Sequence, residues 1–193
     1  MEYKDKLNIA KVVEQSILEN FNDEKPLTQE LYANLIQDIL EKRRILWQEE
    51  IIPVFKKTNG TIDNLVEVQS DLLSYRQMLV EEVGFINAFI VKDMSKIKKK
   101  KRDKYIYYST GSLPDGVKVA PSILRRDQII IGLKTTKGEK DLIISGDLNE
   151  QERVIEALEG YQGFLRECIK TVDHALYGIK NKIELYKIKL NIE

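Results

Sequence analysis

Leu65, Leu72, Leu79 and Ile86 fall every seven residues, and a second stripe between Val154 and Leu190 alternates almost perfectly between spacings of three and four. A repeat of this kind keeps apolar side chains on one side of a helix and is the pattern of a long coiled-coil-like seam. The first repeat is flanked by Val68, Tyr75 and Phe89, then by Val83, Ile90 and Ile97, and predicts a helix over about 63–108. The second runs through Val154, Leu158, Tyr161, Leu165, Cys168, Val172, Leu176, Ile179, Ile183, Tyr186 and Leu190. Asp147 and Glu150 form a D-x-x-E variant of the capping box at its expected start. At ~1.5 Å per residue, each helix would be about 60–70 Å long. Such stripes are too long for a small globule to bury, so the helices must pair with each other or with other chains.

Shorter helices are expected before them. Leu7, Val12 or Val13, Ile17 and Leu18 mark one from about Lys4 to Phe21, and the stretch from Asn22 to Pro26 breaks it. Thr28 is placed to cap a second, with Leu31, Leu35, Ile39, Leu46 and Trp47 inward. Pro53 is expected to kink or end it near Ile52, and Asn59-Gly60 marks a loop. Nine acidic residues face four basic ones between Glu14 and Glu50, so this front third reads as an acidic helical hairpin.

Between the long helices, Gly111, Pro114, Gly116 and Pro121 mark turns over 109–146. Pro121 could open a short helix carrying Ile123, Leu124 and Ile130. The competing form is a β-hairpin of Gln128–Leu133 and Asp141–Ser145; the run Ile129-Ile130-Ile131 does not separate the two. The expected fold is therefore all-α: two long antiparallel or crossing helices with a short helical linker, plus the N-terminal hairpin. Residues 1–60 form the hairpin module and 61–193 the core.

One cysteine and one histidine leave no internal disulfide and no basis for a Cys/His zinc site. The N-terminal stretch lacks the apolar core of a signal peptide, and no segment has the length and apolarity of a membrane span. A cytosolic protein without membrane contact follows. Enzymatic chemistry finds no support. No phosphate-binding loop is spelled out, and Cys168 and His174 lie six residues apart, about 120° out of phase on one helix. Cys168 reads as a small core residue and His174 as solvent-facing. The adjacent pairs Glu81-Glu82 and Glu49-Glu50 read as solvated surface. No metal or cofactor is expected.

Charge is concentrated in one place. Lys92 to Lys104 holds eight Lys or Arg against two Asp in a chain that is formally neutral, and Tyr105, Tyr107 and Tyr108 follow. Cations beside flat rings suit single-stranded nucleic acid, where the cations meet phosphates and the rings can stack on bases. The plain alternative is a solvated lysine-rich face. Five consecutive cations, Lys98 to Arg102, fan around the helix at about 100° per residue and cannot all meet one groove. Ile97 and Tyr105 are expected near the buried seam, and at least one of Tyr107 and Tyr108 is expected to close a core.

The order of these features resembles the UvsY-like recombination mediators of phages. Arg102 and Lys104 stand five and three positions ahead of the first of the paired tyrosines, Tyr107, in Arg102-Asp103-Lys104-Tyr105-Ile106-Tyr107-Tyr108-Ser109-Thr110-Gly111, where Thr110 departs from the family's Tyr-Tyr-Ser-Gly. Ile62-Asp63, Ile123-Leu124-Arg125-Arg126-Asp127, Leu158-Glu159 and Ile179-Lys180-Asn181-Lys182-Ile183-Glu184 echo other family segments, and Leu176-Tyr177 replaces its usual Arg before an aromatic. The likeness covers about Ile62 to Leu190; the acidic front hairpin has no counterpart in the family's short form. It implies a non-enzymatic protein of the infected host cell's cytoplasm, working in phage homologous recombination. Such a protein binds single-stranded DNA, displaces or remodels the single-strand-binding protein and helps load a RecA-like recombinase. The implied DNA-binding residues are Lys98, Lys99, Lys101, Arg102, Lys104, Tyr107 and Tyr108. The implied ring-forming homo-oligomer would use Val172, Leu176, Ile179, Ile183 and Tyr186. The rival reading is a structural or scaffold coiled-coil subunit of a virion or assembly, which needs no nucleic acid.

Overall fold

Asn8 opens the first helix of the computed structural model, its side-chain oxygen accepting the N–H of Ala10 at 3.1 Å. The structure describes residues 8–21, 26–59, 61–112, 127, 131 and 136–190. Every regular element among them is helical: α1 Ile9–Asn20, α2 Gln29–Lys56, a 3-10 turn Lys57–Asn59, α3 Ile62–Thr110 and α4 Lys137–Leu190. The all-α expectation is met.

Thr28 caps α2 as expected, accepting from the Leu31 N–H at 3.2 Å. Pro53 does not end α2, which runs on to Lys56, although inside a helix a proline removes one backbone donor and crowds the carbonyl four residues before it. The inward face of α2 is Ala33, Ile36, Leu40, Trp47, Ile51 and Val54, while Leu31 and Leu46 point outward, contrary to expectation. Leu18 of α1 is also exposed, and Ile9 and Val13 form its buried face.

The largest correction concerns α4, which begins ten residues before Asp147. Thr136 and Glu139 make the capping box: the Glu139 N–H donates to the Thr136 hydroxyl, and the Thr136 N–H donates to the Glu139 carboxylate at 2.6 Å. The backbone N–H of Thr136, then its hydroxyl, hold the Glu139 carboxyl below its ordinary value. Asp141–Ser145 is thus helix, which overturns the second strand of the hairpin alternative. Asp127 and Ile131 are helical as well; the linker residues Pro121, Ile123, Leu124 and Ile130, like Leu7 and Asn22, lie outside the described residues.

Two compact units divide the chain: Met1–Phe89 with Ala157–Glu193, and Ile90–Glu156. In the first, Leu65, Leu72, Leu79 and Ile86 are fully buried, as are Leu158, Tyr161, Leu165 and Val172. Each buried Leu or Ile side chain contributes about 1.5–3 kcal/mol. Cross-helix partners run in opposite chain order. Arg43 meets Glu82 and Glu50 meets Tyr75 between α2 and α3; Arg76 meets Asp173 and Asn87 meets Gln162 between α3 and α4. In the second unit, Lys101 meets Glu152, Lys104 meets Asp147 and Ser109 meets Lys140, again in opposite order. Its core is Tyr107, Tyr108, Ile144 and Leu148, with Ile97, Ile131 and Ile143 packed against it. No helix among the described residues is long and apolar enough to cross a membrane.

Candidate nucleic-acid interface

The cationic tract is continuous helix within α3. A helix turns about 100° per residue, so the tract splits into two faces. Ile97, Lys101, Lys104 and Tyr108 follow one another at spacings of three and four and turn toward α4. Lys92, Lys96, Lys99 and Arg102 do the same on the opposite face and are exposed. Lys98 and Lys100 are also exposed and flank that outward face.

The inward cations are already engaged. Lys101 Nζ lies 2.5 Å from Glu152 Oε1, and Lys104 Nζ lies 2.5 Å from Asp147 Oδ2. The Lys104 ammonium also stands 6.0 Å from the centre of the Tyr108 ring. Among the outward cations, Lys96 pairs with Asp93 at 2.7 Å and Arg102 with its neighbour Asp103 at 3.2 Å. The side chains of Lys92, Lys98, Lys99 and Lys100 make no hydrogen bond or ion pair among the described residues.

Both paired tyrosines take the core position expected of at least one of them. Tyr107 and Tyr108 are only 6% and 5% exposed, with ring centres 5.3 Å apart. The Tyr107 hydroxyl donates to Asp127 at 3.1 Å and the Tyr108 hydroxyl to Asp147 at 2.9 Å. Rings held this way have no face to offer a base; they close the core of the second unit. Tyr105, expected near the seam, is the exposed one at 37%. Lys140 Nζ stands 5.8 Å from the centre of its ring.

Of the residues expected at an oligomer contact, Val172 and Ile179 are buried within the chain itself and have no surface for a second copy. Leu176 and Ile183 are half-buried, and Tyr186 is exposed beside Leu185, Ile188 and Leu190. His174 is exposed as expected, and Cys168 is half-buried, with burial and then the Glu167 charge pushing its thiol up.

One polar cluster escaped the sequence reading altogether. Glu82, expected on the surface, is 0% exposed in the first unit. It accepts from Arg43 Nε at 2.5 Å, Trp47 Nε1 at 2.7 Å and the Tyr161 hydroxyl at 2.8 Å. Burial opposes the Arg43 charge, but the hydrogen bond and attraction to Glu82 outweigh it and raise that pKa. Burial, then the Glu82 charge, push the Tyr161 phenol far above its ordinary value. The signal available in sequence was phase: Glu82 falls between Leu79 and Ile86 on the apolar seam. A fully buried carboxylate that accepts from three donors is a structural tie.

The chain is thus an all-α protein whose long helix carries an outward cationic face. No family model, no curated protein and no solved structure matches it.

Proposed function

We propose that this chain is a non-enzymatic single-stranded DNA-binding protein acting as a UvsY-like recombination mediator. Its outward α3 face holds the phosphate backbone, and the bound protein helps a RecA-like recombinase replace the single-strand-binding protein in a phage-infected cell. One observation carries this reading: four exposed lysines, Lys92, Lys98, Lys99 and Lys100, without acidic partners among the described residues of a formally neutral chain. Like charges crowded on a helix destabilise it, and a polyanion relieves that cost. Binding by phosphate contacts is independent of sequence and sensitive to salt.

In this reading Lys98, Lys99 and Arg102 keep the role expected of them, and Lys92, Lys96 and Lys100 join. Lys101, Lys104, Tyr107 and Tyr108 instead support the scaffold that presents the others. Oligomerisation falls to the end of α4, where Leu185, Tyr186, Ile188 and Leu190 are exposed; linking several weak sites raises effective concentration and hence avidity.

The engagement of Lys101, Lys104 and both core tyrosines within the chain favours the second reading, a structural coiled-coil subunit. Fluorescence anisotropy with labelled single-stranded DNA separates them. Lys98→Ala/Lys99→Ala/Lys100→Ala loses binding at unchanged helicity if the chain is a mediator. A wild-type protein that ignores single-stranded DNA at low salt leaves the structural reading.

A further inference from the structure

Tyr105 lines an open cavity of about 300 Å³ together with Lys101, Arg102, Asp141, Ile144 and Ser145. We infer that this cavity is a subsite for one unpaired nucleobase, with Tyr105 as its stacking surface and the adjoining phosphate held by Arg102. The inference rests on the single-strand-binding reading above and adds to it a contact with the base itself.

The lining favours a base over a phosphate inside the cavity. Asp141 would repel a phosphate, whereas its carboxylate can accept from the exocyclic amine of adenine, cytosine or guanine. Ile144 supplies an apolar wall, and Tyr105 supplies a ring exposed at 37%. Stacking on an aromatic tolerates any base, because every base has a π-face. The phosphates attached to a stacked base lie beside it, and Arg102 lines the cavity there; the Lys140 ammonium stands over one face of the Tyr105 ring, 5.8 Å from its centre, so the base takes the other face. Lys101, held by Glu152, keeps one wall in place. Tyr107 and Tyr108, being buried, cannot share the task.

The test compares two labelled oligonucleotides of equal length and charge, one bearing cytosines and one abasic, by anisotropy at low salt. Wild type should bind the base-bearing strand more tightly. Tyr105→Ala should weaken that binding roughly 5- to 150-fold, the span of a single stacked base, and leave the abasic strand unaffected; Tyr105→Phe should restore it. A second variant, Tyr105→Trp, reads the contact directly, its emission quenched by the base-bearing strand and not by the abasic one. Equal wild-type affinity for the two strands, or an equal loss on both in Tyr105→Ala, overturns the base subsite while leaving phosphate binding intact. Failure of wild type to bind either strand overturns both readings.

Discussion

Replacing Glu82 with alanine removes the common acceptor of three donors in a dry site. Arg43 Nε, Trp47 Nε1 and the Tyr161 hydroxyl all lose it together, at 2.5, 2.7 and 2.8 Å. Removing one partner of a buried ion pair costs about 3–5 kcal/mol, because the other charge is left unmatched. A neutral donor left buried without an acceptor costs about 1–3 kcal/mol. These losses do not add fully, since the Arg43 side chain keeps 12% exposure and can draw in water. A destabilisation of about 4–6 kcal/mol is expected. Against a domain stability of about 5–15 kcal/mol, that brings the variant to the edge of unfolding.

Urea titration followed by far-UV circular dichroism measures the loss. Trp47 gives a second probe: it is the sole tryptophan, is buried, and donates its indole N–H to Glu82. Its emission should shift to the red in Glu82→Ala before urea is added. Replacing the charge together with its partners, as Arg43→Met/Glu82→Leu/Tyr161→Phe, should recover most of the stability, because a packed apolar cluster avoids desolvation. A loss in Glu82→Ala below about 1 kcal/mol, the size of an exposed ion pair, would refute the reasoning from burial.

The same cluster makes an alkaline prediction. Burial and then the Glu82 charge raise the Tyr161 pKa in the fold, while the unfolded phenol ionises near about 10. The folded state therefore keeps a proton the unfolded state releases. Stability from this source is complete below about pH 10 and declines as pH rises above it; urea midpoints across that range should flatten in Tyr161→Phe. At the C-terminal end of α4, Leu185→Asp/Tyr186→Asp should give smaller particles in sedimentation with helicity unchanged, whereas Val172→Asp should unfold the chain because it forces a charge into a buried seam. Unchanged particle size in the double variant would remove the α4 end from any assembly.

The heptads were legible because burial asks only for phase. Leu65, Leu72, Leu79 and Ile86 needed no partner to be recognised, and each is fully buried. Glu82 was misjudged because residue type was allowed to override phase. Its position, three residues after Leu79 and four before Ile86, pointed inward. Its compensation comes from Arg43, Trp47 and Tyr161 on other helical segments, and no local pattern contains it. Tyr108 repeats the lesson: it stands eleven residues after Ile97, close to three full turns, about 20° away in phase, while Tyr105 lies about 80° away. Carried along the helix, phase places Tyr108 in the core, but it does not separate Tyr105 from Tyr107, which lies equally far away on the other side and is buried with its hydroxyl on Asp127. The Thr136–Glu139 box was missed for a different reason. Gly138 inside it is a poor helix former, yet a glycine in the first helical turn costs only about 1 kcal/mol, which the reciprocal cap and the long packed face of α4 outweigh.

Phase also changes how the cationic tract should be counted. If all eight Lys and Arg between Lys92 and Lys104 met phosphates, the logarithmic salt slope on single strands would be about −5.6, at −0.7 per contact. Lys101 and Lys104 are bound to Glu152 and Asp147 and face the core side. The four lysines without partners give a slope of about −3, and adding Lys96 and Arg102, whose carboxylates are near neighbours on the same helix, gives about −4. Lys101→Ala/Lys104→Ala should then weaken folding of the second unit more than it alters the slope. Lys98→Ala/Lys99→Ala/Lys100→Ala should do the reverse, reducing the slope by about 2. A wild-type slope near −5.6 would mean that the inward pairs open on binding, and the division of the helix into a structural face and a binding face would not hold.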